Sequence, residues 1–198
     1  WDKAATEPST TNPDPDWTRG TKGTLVYKAI TLSNGDTLPA GTILIKHLAS
    51  CRLGPGERDA FIKTTAEQDG KEVRIRGPQD PGGAGVGDAV AFRTLLRGFT
   101  VRTETVGGAK VLRFGPASSA AHPKSTGGRY GRIAVTRGDW NDAFFAELEG
   151  FTGAKNGRDD IVDTVSDLVD ELDNHTQIPT KAPPPPKPYS FDTRPLGI

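Results

Sequence analysis

The chain has 198 residues, enough for one domain with a sizeable core and a tail. Its 25 Lys and Arg balance 25 Asp and Glu, which excludes a global basic field, so any nucleic-acid site has to be a local patch. The single cysteine, Cys51, excludes an internal disulfide and fits a reducing compartment, and no apolar run approaches the roughly 20 residues that span a bilayer.

The chain opens on Trp1-Asp2-Lys3, then runs through a Pro/Thr/Asn/Asp-rich loop from Glu7 to Pro15. Leu25 to Ile30 predicts a strand, Ser33 to Gly41 a turn, and Thr42 to Leu53 a second strand whose alternation is blurred by apolar content. Gly54, Pro55 and Gly56 break that strand. Glu57 to Gly70 predicts an amphipathic helix, and Glu72 to Gly77 a short alternating strand. The prolines and glycines of Pro78 to Gly87 predict an irregular loop. Asp88 to Phe99 reads as helix and Thr100 to Val106 as strand. Gly107 to His122 reads as a loop followed by a helix that is started or interrupted near Pro116. Tyr130 to Gly138 reads as strand, and Asp139 to Phe151 as a helix capped by Asp139. The run GRDDIVDTVSDLVDELD, Gly157 to Asp173, predicts a further helix with Ile161, Val165, Leu168 and Leu172 in one apolar stripe. Ile178 to Ile198, with APPPPKP, predicts a flexible extended tail. The order implies a mixed α/β sheet with helices packed on it, as a domain over 1–177 followed by a tail over 178–198. The absence of methionine, at position 1 as elsewhere, predicts a fragment excised from a longer protein. No signal-peptide pattern opens it.

The acids have two readings. Asp163, Asp167 and Asp170 fall opposite the apolar stripe, where solvated charge belongs, and acids in a first turn suit the helix dipole. Alternatively, Asp2, Asp80 and the pair Asp159-Asp160 each sit at the end of a separate element and converge on one point. Close carboxylates repel one another unless a cation lies between them, and Asp oxygens select hard ions such as Mg²⁺ or Mn²⁺. Two such ions about 3.5–4 Å apart would clamp the attacking and leaving oxygens of a phosphodiester. Taken singly, Asp2 reads as a loop acid and Asp80 as a turn acid.

The glycine string Gly82 to Gly87 has the wrong spacing for a dinucleotide fingerprint and reads better as a tight strand-to-helix turn with close backbone approach. No P-loop is present, because Pro123 stands where its glycine should be. Cys51, His47, His122 and His175 show no zinc spacing, and no nucleophile elbow supports a Ser/His/Asp triad. Lys110, Arg113, Lys124, Arg129, Arg132 and Arg137 cluster around Gly-rich segments. They read either as phosphate contacts or as solvated surface.

Four pieces, in order, resemble the C-terminal nuclease domain of the large terminase subunit of tailed bacteriophages and prophages. WDKAAT resembles its first acidic motif, with PDWT as the loop that follows, and PQDPGGAG the second. GGAKVLR is similar to its Lys-x-x-Arg segment, and GDWNDAFFAELEGF with RDDIVDTVS to its Trp-Asn helix and paired aspartates. The chain departs from the family at Val86, often lysine, at Arg158, commonly histidine, and at Pro78, glutamate in some relatives. FTGAKNG also lengthens a Phe-Pro-Gly link.

The resemblance implies a ribonuclease H-like mixed β-sheet flanked by helices, and a divalent-metal-dependent endonuclease that cuts concatemeric viral DNA during genome packaging. It implies Asp2, Asp80 and Asp160 as catalytic residues, and Asp2, Asp80, Asp159 and Asp160 as ligands of two Mg²⁺ or Mn²⁺ ions. Asp163 is then an outer or solvent residue, and Asp167, Asp170 and Asp173 a solvated face. Lys110, Arg113, Lys124 and Arg129 are the expected contacts to double-stranded DNA. An upstream ATPase domain, a portal and a small terminase subunit are the expected partners, on a procapsid in the host cytoplasm, with no membrane and no secretion. The competing reading is a non-catalytic α/β module that docks on a portal or other packaging partner through the proline-rich tail. A nucleotide-binding Rossmann-like domain is a third.

Overall fold

The elements are β1 (Thr18–Leu25), β2 (Ile30–Thr31), β3 (Thr37–Leu38), β4 (Ile43–Cys51), α1 (Pro55–Asp69), β5 (Ile75–Gln79), α2 (Gly83–Leu95), β6 (Val101–Thr105), α3 (Lys110–Ala121), a 3-10 turn (Pro123–Ser125), β7 (Ile133–Val135), α4 (Asn141–Gly150) and α5 (Asp160–Asn174). They belong to a computed structural model that describes residues 1–4, 6–105, 107–125, 130–154 and 157–174. The apolar β4 is the hub of the larger sheet. It pairs antiparallel with β1 and parallel with β7. Strands β5 and β6 form a second, parallel pair, and β2 and β3 a small hairpin.

The first two residues lie at the seam between the sheets. Asp2 and Arg19 of β1 exchange both backbone hydrogen bonds, at 2.8 and 2.9 Å. The Trp1 backbone nitrogen donates to the Arg76 carbonyl of β5 at 2.7 Å. Two glycines make room for this packing. A Cβ on Gly20 would lie 2.7 Å from the Trp1 ring, and one on Gly23, at a bulge in β1, would lie 2.7 Å from Leu168 of α5. Larger residues there would push Trp1 or α5 off the strand.

The core has two parts. One gathers Leu25, Ile43, Ile45 and Leu48 against Ala117, Phe144, Ile161, Val165, Val169 and Leu172. The other packs Ile62 and Ala66 of α1, Phe92 of α2 and Leu96 just after it against Ile75 of β5. Helix α5 is buried on more than its expected stripe, since Val162, Thr164 and Ser166 are inside as well. The buried hydroxyls are satisfied: Thr164 shares a hydrogen bond of 2.6 Å with Thr21, and Ser166 donates to the Val162 carbonyl at 2.7 Å.

Several expectations are corrected. The first long strand is Thr18–Leu25, not Leu25 to Ile30. Its sequence is polar, and it is a strand because it pairs with β4 over its whole length and lies under α5. The stretch Pro78 to Gly87 is largely regular, because β5 runs on through Gln79 and α2 begins at Gly83. Pro78 is tolerated because, among the described residues, β5 has β6 alone as a strand partner. Asp139 does not cap α4. The helix starts at Asn141, whose side chain accepts from the Gly138 N–H and donates to the Thr136 carbonyl. The acids along α5 are not a solvated face. Asp167 and Asp170 face Arg76 at 3.5 and 2.5 Å, and Arg132 binds Asp173 at 2.6 Å. Those cations arrive from β5 and from the segment before β7, so the helix alone gives no sign of them.

Residues 175–198, including the tail on which the docking reading relies, and Arg129 lie outside the described residues. Among the described residues no helix is long and apolar enough to cross a membrane.

Candidate functional site

The seam that holds Asp2 opens into a cleft of about 410 Å³ lined by Asp2, Asp16, Asp80, Asp88, Asp159, Asp160, Asp163 and Asp167, with Lys3, Lys110 and Arg113 as its basic side chains. Among the described residues that line it, eight acids outnumber three basic side chains, so the cleft tends to repel a phosphate unless further positive charge enters.

Asp2 carries the largest electrostatic burden. Burial first, then the charges of Asp163 and Asp160, push its carboxyl from the ordinary 3.8 to about 7, against the opposing pull of Lys110. Asp160 opens α5 and is itself buried. Burial raises its carboxyl too, opposed by the Trp17 N–H, which donates to it at 3.2 Å. Trp17 is fixed between two guanidinium groups, Arg19 and Arg52, each 4.3 Å from its ring. Glu147 of α4 accepts from the Ile161 N–H at 2.5 Å, so a side chain from another helix ties down the first turn of α5.

Asp159 and Asp160 precede Asp163 by four and three residues, which puts each of them beside Asp163 on one turn. The Lys110 ammonium spans two of them, at 2.7 Å from Asp159 Oδ1 and 2.8 Å from Asp163 Oδ2. Arg113, one turn further along α3, takes the other oxygen of Asp163 at 2.6 Å. Burial works against the charge of Lys110, but its hydrogen bonds to Asp159 and Asp163 outweigh that and hold its pKa above the usual lysine value.

Asp80 follows β5 directly and is exposed at the cleft. The glycine string explains its position. A Cβ on Gly85 would lie 2.0 Å from the Asp80 carbonyl oxygen, so the first turn of α2 packs directly on the backbone of Asp80. Gly85→Ala is expected to destabilise the fold by about 1–3 kcal/mol and to displace Asp80. Urea unfolding checks the first effect; a variant as stable as the wild type would mean that the close approach carries no constraint.

The structure thus brings Asp2, Asp80, Asp159 and Asp160 to one cleft, and adds Asp163, which the sequence reading assigned an outer or solvent role. Helical spacing from Asp160 was the signal that could have found it. Asp16, Glu147 and the pair Lys3–Asp88, whose charges meet at 2.7 Å, were also missed. Lys110 and Arg113 line the cleft, whereas Lys124 sits in the 3-10 turn away from its lining residues.

Among the described residues no three His, Cys, Asp or Glu side chains form a ready-made metal-binding group. The donor chemistry nevertheless fits a hard divalent ion. It consists of carboxylate oxygens, and burial together with the charges of Asp163 and Asp160 pushes the half-buried Asp2 out of its ordinary ionisation range.

No curated protein and no solved structure matches the chain. A family model described as the terminase RNaseH-like domain matches residues 44–176, a span that includes Asp80, Asp159, Asp160 and Asp163 and that Asp2 precedes. That match covers more than half of the 198 residues, and with the mixed sheet flanked by helices it gives the fold as ribonuclease H-like: the chain belongs to the terminase RNaseH-like domain family.

Proposed function

We propose that the acidic cleft is the metal-dependent centre of an endonuclease that hydrolyses phosphodiester bonds of double-stranded viral DNA during genome packaging. The observation that carries the reading is the half-buried Asp2 carboxyl, raised by desolvation and by the charges of Asp163 and Asp160 inside a cleft open to solvent. A purely structural acid would be expected at the surface or beside a matching cation. Asp2, Asp160 and Asp163 supply the inner oxygens, Asp159 and Asp80 flank them, and Asp2, Asp80 and Asp160 are the catalytic set. Two Mg²⁺ or Mn²⁺ ions bound there supply Lewis acidity toward water and phosphoryl oxygens.

The residues of the chain orient this set. Trp17 and Glu147 fix the first turn of α5, and Gly85 fixes the backbone at Asp80. Lys110 and Arg113, at the cleft, are suited to phosphate rather than to base edges, so DNA binding is sequence-tolerant and weakens with salt. An ATPase domain, a portal and a small terminase subunit are the partners that this reading calls for, on a procapsid in the host cytoplasm. The test is nicking of supercoiled plasmid by the whole chain in Mn²⁺ and in EDTA. Nicking is expected only with the metal, and no nicking in either Mn²⁺ or Mg²⁺ overturns the reading.

A further inference from the structure

We propose that Lys110 and a divalent cation compete for the Asp159 and Asp163 carboxylates, so that metal loading releases Lys110 to bind DNA phosphate. The inference rests on the metal-dependent reading of the cleft. Its ground is the way the acids are engaged. Both oxygens of Asp163 are taken, one by Lys110 and one by Arg113, and Lys110 also holds Asp159. A second cation drawn to these carboxylates meets the ammonium within a few ångströms, where like charges repel strongly in a partly desolvated site.

Of the two bases, Lys110 is the one able to leave. It is the first residue of α3, separated from the Gly107-Gly108 pair only by Ala109, and its side chain is 41% exposed against 21% for Arg113. A lysine carries its charge on a flexible four-carbon stem, so the ammonium can swing from the carboxylates to a phosphate without moving the helix. The proton stays on the nitrogen throughout; only its partner changes. The exchange couples two ligands through one side chain. By reciprocity, if metal strengthens DNA binding by some factor, DNA strengthens metal binding by the same factor. The cleft then offers its cation to phosphate chiefly once the ions that serve hydrolysis are present.

The test compares the wild type with Lys110→Gln, which loses the charge but keeps a polar side chain one atom shorter, and Lys110→Arg, which keeps the charge. Free Mn²⁺ is followed by electron paramagnetic resonance, and binding of a short phosphorothioate duplex by fluorescence anisotropy with and without Mn²⁺. Lys110→Gln is expected to bind Mn²⁺ about fivefold or more tightly than the wild type, while its duplex binding gains less from Mn²⁺. Lys110→Arg is expected to stay near the wild type in Mn²⁺ affinity. Unchanged or weaker Mn²⁺ affinity in Lys110→Gln overturns the exchange and leaves the nuclease reading standing if the wild type still takes up metal and cuts. If Lys110→Arg behaves like Lys110→Gln, shape rather than charge governs the site and the exchange is again overturned. A wild-type isotherm that Asp2→Asn does not alter overturns the metal reading itself, and the exchange with it.

Discussion

Asp2→Asn and Asp160→Asn are each expected to lower Mn²⁺-dependent plasmid cleavage at least about a hundredfold, on the order of 3 kcal/mol of barrier. Each substitution keeps the shape of the side chain and removes one anionic oxygen ligand. Asp163→Asn belongs in the same series, because Asp163 is the charge that raises Asp2 most and binds both bases of α3. The geometry separates these three from Asp80, which is exposed at the cleft, so Asp80→Asn measures whether a less buried carboxylate completes the set. Circular dichroism of each variant controls for folding. Wild-type cleavage by Asp80→Asn removes that residue from the catalytic set. Wild-type cleavage by Asp2→Asn and Asp160→Asn together removes the cleft from the chemistry.

How much of this was legible in the sequence differs from element to element. The helix from Asp160 was readable because Ile161, Val165 and Leu172 repeat at helical spacing, and β4 because its apolar run is long and bounded by Gly54 and Pro55. Strand β1 was not, because TRGTKGTL has no alternation to read and is a strand by virtue of its partners. The same distinction runs through the site. Asp2, Asp80 and the pair Asp159-Asp160 stood out in short stretches set by Gly, Pro and helix starts. The roles of Asp163 and Lys110 depend on each other across the α3–α5 contact, about fifty positions apart in the chain. Burial and ion pairing of that kind are tertiary facts, and a helical wheel of α5 alone assigns those acids to solvent. The glycine string was readable as a close approach, but only the fold identifies the Asp80 carbonyl as what it approaches.

In EDTA at pH 8, Asp2→Asn is expected to be more stable than the wild type by about 2–4 kcal/mol, a rise in melting temperature of roughly 5 °C or more for a chain of this size. The cause is the burial of Asp2 beside Asp163 and Asp160, which raises its carboxyl from 3.8 to about 7 in the folded chain. The folded state therefore holds this proton more tightly than the unfolded state does. The stability that comes from the protonated form is complete below about pH 4 and is lost as pH rises toward 7. Asparagine is neutral throughout, so the difference between variant and wild type should be widest above pH 7 and narrow as pH falls toward 4. Addition of Mn²⁺ should reverse the order, since an ion bound among the carboxylates stabilises only the chain that retains them. Thermal melts across this range, with EDTA and then with Mn²⁺, separate a charge retained for function at the expense of stability from an ordinary surface acid. Equal stability of the two proteins at pH 8 and pH 5 would mean that Asp2 feels neither the burial nor the acids that define the cleft.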